Sequence, residues 1–77
     1  MKELVELLAK SLVDHTDEVY VRKEESANSI LLEITVHKDD IGKIIGRKGR
    51  VIKAIRTLVW ASAPTDKRVL VETNSSS

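Results

Sequence analysis

Four consecutive residues, Gly46-Arg47-Lys48-Gly49, set two positive charges between two residues that lack a side chain. Such a stretch can hold an anion. Without a Cβ, a glycine lets a ligand approach the main chain closely. Arginine and lysine donate charge-assisted hydrogen bonds to phosphate oxygens. Two familiar phosphate grips do not fit the spacing. The Walker A loop needs four residues between its glycines, then Lys and Ser or Thr; here two residues separate Gly46 from Gly49, and Arg50 and Val51 follow. The dinucleotide fingerprint needs G-x-G-x-x-G between a strand and a helix, whereas Gly42, Gly46 and Gly49 are spaced by four and three and fall between helical patterns. What remains is a short loop between helices, the second of which aims its N-terminal amides at a phosphate.

Other chemistry finds little to work with. There is no cysteine, which removes disulfides and thiolate ligation and fits a reducing compartment. His15 and His37 read as lone side chains separated by a strand pair, so neither a metal centre nor a cofactor is expected. Asp39 and Asp40 read as helix-capping carboxylates rather than a catalytic pair. Ser11 and the terminal serines have no base partner. No catalytic residue is assigned, and an enzyme is not expected.

The net charge of +1 hides an uneven distribution. Residues 1–20 sum to −3 and residues 21–40 to −2, but residues 41–60 carry six bases and no acid. Arg50, Lys53 and Arg56 thus extend the positive surface from Arg47 and Lys48 along the second helix. A surface that faces phosphates has this footprint.

The hydrophobic pattern supplies the elements that position these residues. Leu4, Leu8 and Leu12, with Val5, Leu7 and Val13 alongside, predict an amphipathic helix over residues 3–14. Alternation predicts a strand in EVYVRK, with Val19 and Val21 inward, and a second in ILLEITV, with Ile30, Leu32, Ile34 and Val36 inward. The polar Glu24–Ser29 stretch between them suits a hairpin. Ile41, Ile44 and Ile45 share one face of a short helix that Gly46 stops. A second helix carries Val51, Ile52, Ile55, Leu58 and Val59 inward and ends near Ser62, before Pro64. RVLVE, residues 68–72, is a last strand, and residues 74–77 are expected to form a disordered tail. The result is a single α+β domain over residues 1–73, in the order α-β-β-α-α-β. Its three-stranded mixed sheet carries three helices on one face, the first two strands antiparallel and the last two parallel through a helical crossover.

With loop, helices and order in place, IGKIIGRKGRVI (Ile41–Ile52) resembles the I-G-x-x-I-G-x-x-G-x-x-I signature of KH domains, with every signature position filled. The element order is similar to the type II KH arrangement. Over residues 1–73 the chain resembles small single-KH bacterial RNA-binding proteins of the KhpA type. The resemblance implies that Gly46, Arg47, Lys48 and Gly49 clamp the backbone of about four nucleotides of single-stranded RNA. It implies that Gly42 allows close approach and that Ile41, Ile45 and Ile52 shape an adjoining apolar groove. The hairpin at Lys23–Ser29 would be the variable loop at the groove's edge. The resemblance also implies a homodimer, or a heterodimer with a larger multi-domain KH protein of the KhpB/Jag type. A role as RNA chaperone or post-transcriptional regulator in cell shape and peptidoglycan homeostasis is implied in the same way.

Two other classes use the same features: a module that mainly dimerises or docks on protein, and a binder of single-stranded DNA. Tyr20 and Trp60 are the only aromatics besides histidine, so a sheet that stacks bases is not expected. On the helical wheel Trp60 falls between Lys53 and Arg56, and it is expected to fold over the rim of the core rather than to anchor a protein interface. The N-terminus lacks a signal-peptide cleavage pattern and no apolar run is long enough for a bilayer, so a cytoplasmic protein without membrane association is expected.

Overall fold

The computed structural model describes residues 1–76. The chain forms α1 (Lys2–Leu12), β1 (Tyr20–Glu25), β2 (Ser29–Val36), α2 (Ile41–Ile45), α3 (Arg50–Ser62) and β3 (Arg68–Ser75). Single 3-10 turns lie at Thr16–Glu18, Lys38–Asp40 and Arg47–Gly49. The α-β-β-α-α-β order and the mixed sheet are those expected from the sequence.

β2 is the central strand. It pairs antiparallel with β1, setting Val21 opposite Ile34, and parallel with β3, setting Ile30 and Leu32 opposite Val69 and Val71. A parallel neighbour requires a crossover, and α2, the Arg47–Gly49 turn and α3 provide it. The strict alternation in β2 buries Ile30, Leu32, Ile34 and Val36. Val5 and Ala9 of α1, Ile44 of α2, and Ile52, Ile55 and Val59 of α3 pack into the same cluster. All three helices therefore cover one sheet face. On the other face Leu31, Glu33 and Thr35 are half-buried and Leu70 is exposed.

Several details differ from the sequence reading. The buried line of α1 is Val5, Ala9 and Val13, one position on from the leucines; Leu4, Leu7 and Leu12 are exposed. The alanine explains this rotation. A small side chain at the centre of the contact lets the helix axis approach the sheet, and bulkier leucines fit only along the flanks. Leu58 of α3 is likewise exposed, because Ile52, Ile55 and Val59 already fill the contact with the sheet. β3 runs past the expected strand and into the expected tail: Thr73 pairs with Ile34, the tail residues Asn74 and Ser75 pair with Thr35 and Val36, and the Ser76 amide donates to the Val36 carbonyl at 2.9 Å. The free edge of an eight-residue central strand offers these backbone bonds regardless of side-chain polarity. Ser77, the last residue of the expected tail, lies outside the described residues.

Candidate nucleic-acid interface

The Gly46–Gly49 loop is a tight connection between α2 and α3. The Gly46 amide closes α2 by donating to the Gly42 carbonyl at 2.8 Å, and the Gly49 amide donates back to the Gly46 carbonyl at 3.1 Å. Each glycine in it has a definite reason. At Gly46, φ is +77° and a Cβ would stand 2.8 Å from both the amide nitrogen and the Cβ of Val51. This glycine is thus demanded by the packing of α3 against the loop. At Gly49, φ is +75°, left-handed backbone that glycine adopts freely. Between them Lys48 is also left-handed, with φ 56° and ψ 25°, the one non-glycine residue with positive φ among the described residues. A lysine held in that conformation stores strain. By contrast a Cβ at Gly42 would meet nothing within 4 Å, so the space beside it is open.

No side chain caps α3, whose first residue follows the loop directly. Its first amides have no partners within the helix; the Arg50 amide donates to the Arg47 carbonyl of the loop. The five bases Arg47, Lys48, Arg50, Lys53 and Arg56 form no ion pair among the described residues. The sixth base of the segment behaves differently. Lys43 pairs with Asp14 and with Asp40, and the hydrogen bond it donates to Asp14 raises its pKa. It is a structural cation.

The apolar residues of the signature divide as well. Ile41 and Ile45 are half-buried and reach the surface beside the loop. Ile52 is 5% exposed and is a core residue that supports the loop from beneath. The Ser26–Asn28 hairpin tip is fixed by the Ser26 amide donating to the Ser29 carbonyl at 2.8 Å. Trp60 leans over the rim, its indole N–H donating to the Val69 carbonyl at 3.2 Å, while the ring stays 57% exposed.

Sequence reasoning missed the joint on which α2 rests. Asp40 does not cap its helix. Its carboxylate is 1% exposed and accepts the His15 amide at 3.0 Å, the His15 ring Nδ1–H at 2.9 Å and the Asp14 amide at 3.3 Å. Burial by itself would raise this carboxyl, but those hydrogen bonds and the His15 charge outweigh it and hold Asp40 well below the usual carboxylate range. The same bond, donated to Asp40, raises the His15 imidazole above its ordinary value. His15 and His37, expected to stand apart, are stacked with ring centroids 3.9 Å apart and 12° between planes. The reason is topological: β2 ends beside the segment leaving α1. Ligand atoms of His15, His37 and Asp39 lie within 4.8 Å of one another. However, His15 Nδ1 is bound to Asp40 and His37 Nδ1 accepts the Asp39 amide at 3.1 Å. With its Nδ1 lone pair used, a neutral His37 carries its proton on Nε2, so only His15 Nε2 keeps a ring lone pair. The geometry is that of a hydrogen-bonded joint between the end of α1, β2 and α2. No periodicity or spacing marks such a joint; the only hint was adjacent carboxylates after a strand.

The chain is similar to known proteins over nearly its whole length. The family model described as KhpA/KhpB, KH domain matches residues 2–72. The chain is 52% identical over 73 residues to the RNA-binding protein KhpA of Clostridium perfringens, covering 94% of this chain and 97% of that one. It is 51% identical over 71 residues to the protein of that name from Borreliella burgdorferi, with 91% and 87% covered. Against the Listeria monocytogenes protein of that name the identity is 42% over 73 residues, with 94% and 96% covered. No solved structure matches the chain significantly. With its α-β-β-α-α-β fold, its glycine-paired loop and a match that runs almost from end to end, the chain belongs to the KhpA family of single KH-domain proteins.

Proposed function

We propose that the chain binds single-stranded RNA by gripping its backbone at the Gly46–Gly49 loop. Phosphates meet Arg47, Lys48 and the first amides of α3, while Arg50, Lys53 and Arg56 continue the positive track. Gly42 leaves room for the strand, Ile41 and Ile45 give the groove an apolar wall, and Ile52 holds that wall in place. The observation that carries this reading is the set of five unpaired bases around a paired-glycine loop whose following helix has no side-chain cap. The relatives are named as RNA-binding proteins, which supports the choice of RNA.

The test is to replace Arg47 and Lys48 together with Asp and to measure affinity for a single-stranded RNA pool at several salt concentrations. The expected result is a large loss of affinity and a salt slope shallower by about two phosphate contacts. Unchanged affinity and slope would refute the clamp. Matched RNA and DNA oligomers separate the two nucleic acids through the 2′-hydroxyl.

A site of this size holds few nucleotides, which favours duplication through a second KH module. The chain is therefore read as acting in pairs, with itself or with a larger KH protein. The family name that joins KhpA to KhpB supports the latter. A role in RNA chaperoning or post-transcriptional control of cell shape belongs to the same proposal. Among the described residues no helix is long and apolar enough to cross a membrane.

A further inference from the structure

We infer that Trp60 is a stacking platform for a nucleobase, so that RNA leaving the Gly46–Gly49 loop runs along α3 and lays one base on the indole. The inference rests on the RNA-binding reading and extends it to a residue outside the signature.

Four observations lead there. Arg50, Lys53, Thr57 and Trp60 follow one another at intervals of three and four residues, so they form a row along one flank of α3. The row starts at the loop and covers about 15 Å at 1.5 Å per residue, roughly the length of four to five stacked nucleotides at 3.4 Å each. Second, Lys53, Arg56, Thr57 and Trp60 line a hollow of about 340 Å³. That is the small end of ligand sites, roughly 300–1,000 Å³, and suits one nucleotide better than an element of another protein.

Third, the ring is exposed but not loose. Its N–H is bound to the Val69 carbonyl, which lies on the free edge of β3. The direction of that carbonyl follows from the pairing: Arg68 and Ser76 send their amides to Asn28 and Val36, so even-numbered residues of β3 face β2 and odd-numbered ones face outward. The bond anchors one edge of the indole to the sheet and leaves the ring half open. A ring positioned in advance loses little freedom when a ligand lands on it. Fourth, the polar rim is cationic. Lys53 and Arg56 pair with no acid among the described residues, while Thr57 is occupied in donating to the Lys53 carbonyl at 3.0 Å. An aromatic surface beside two unpaired cations matches a flat heterocycle joined to a phosphate. Stacking of this kind tolerates any base, because every base has a π-face.

Trp60 is the chain's only tryptophan, so its emission reports this site alone. The experiment titrates the full chain with a short oligouridylate and follows Trp60 fluorescence, while the anisotropy of an end-labelled copy follows binding itself. The expected result is saturable quenching with the same midpoint as the anisotropy. Trp60→Leu should weaken binding roughly tenfold, and Trp60→Tyr should retain most of the affinity. Binding by anisotropy with unchanged emission would overturn the inference and leave the loop clamp standing. So would unchanged affinity in a folded Trp60→Leu chain. Emission that shifts with protein concentration in the absence of RNA would overturn it too, by showing the ring buried between copies. If neither signal moves, the RNA reading fails and the stacking site fails with it.

Discussion

The Cβ that Gly46 lacks would stand 2.8 Å from the Val51 amide nitrogen and as close to the Val51 Cβ. Real Cβ atoms do not approach backbone that closely, so any side chain at Gly46 must push α3 away from the loop. Gly49 has the same sign of φ but a Cβ there would meet only the Ile52 methyl, at 3.9 Å. The two glycines of one motif thus differ in kind. Gly46→Ala is expected to cost about 2–4 kcal/mol, from overpacking and left-handed strain together. Gly49→Asn is expected to cost less than about 1 kcal/mol, since asparagine tolerates left-handed backbone. Urea denaturation of both variants checks this; equal losses would contradict the loop geometry. A Gly46 variant that fails to bind RNA consequently says little about RNA contact.

Lys48 sits in left-handed backbone where glycine would sit without strain. A position held against its conformational preference points to use of its side chain. Lys48→Gly is expected to stabilise the fold by up to about 1 kcal/mol, the relief of strain being partly offset by the looser unfolded chain. The same change should weaken RNA binding and reduce the salt slope by about one. Opposite signs in denaturation and in binding would mark the lysine as kept for the ligand; loss of stability would show that its conformation is not strained.

The His15–Asp40 bond makes stability depend on pH in a definite direction. The folded state raises the His15 pKa above 6.5. That contribution is fully present below 6.5 and is lost as pH rises through the higher folded value. Asp40 is lowered, so its contribution is present above its ordinary 3.8 and is lost only in stronger acid. Between about pH 4 and 6.5 both are present. The melting temperature is therefore expected to fall between pH 6 and 8.5 in the native chain and to change little there in His15→Gln. A native profile that rises over that range would contradict the bond.

The fold was legible in the sequence where one physical effect dominated. β2 alternates without a break because one of its faces is buried along its whole length, and the loop stands out because glycines and bases interrupt a run of isoleucines. Legibility failed where the deciding contact is made by the backbone or by residues far apart in the chain. Thr73–Ser75 hold their strand through main-chain bonds that polar side chains do not advertise. Ala9, not the leucines, sets the rotation of α1, because closeness of approach is a property of the pair of elements. His15 and Asp40 are 25 positions apart. Trp60 was placed correctly on the wheel, but its bond to Val69 depends on which way an edge carbonyl points.

The charge tally treats the six bases of residues 41–60 as one surface, and the fold divides them. Lys43 is held by Asp14 and Asp40 and joins α2 to the segment after α1. Lys53 has no acidic partner among the described residues and lies on the outer flank of α3. Their substitution should have opposite consequences. Lys43→Met removes a cation next to a buried carboxylate, so it should lower the melting temperature while leaving the salt slope of RNA binding unchanged. Lys53→Met removes a solvated charge, so stability should stay within about 0.5 kcal/mol while RNA affinity falls and the slope drops by about one. Thermal melts and salt-dependent anisotropy on the two variants separate these outcomes. If both lysines shift the slope alike, Lys43 leaves its carboxylates to meet RNA, and the joint beneath α2 is looser than its hydrogen bonds imply.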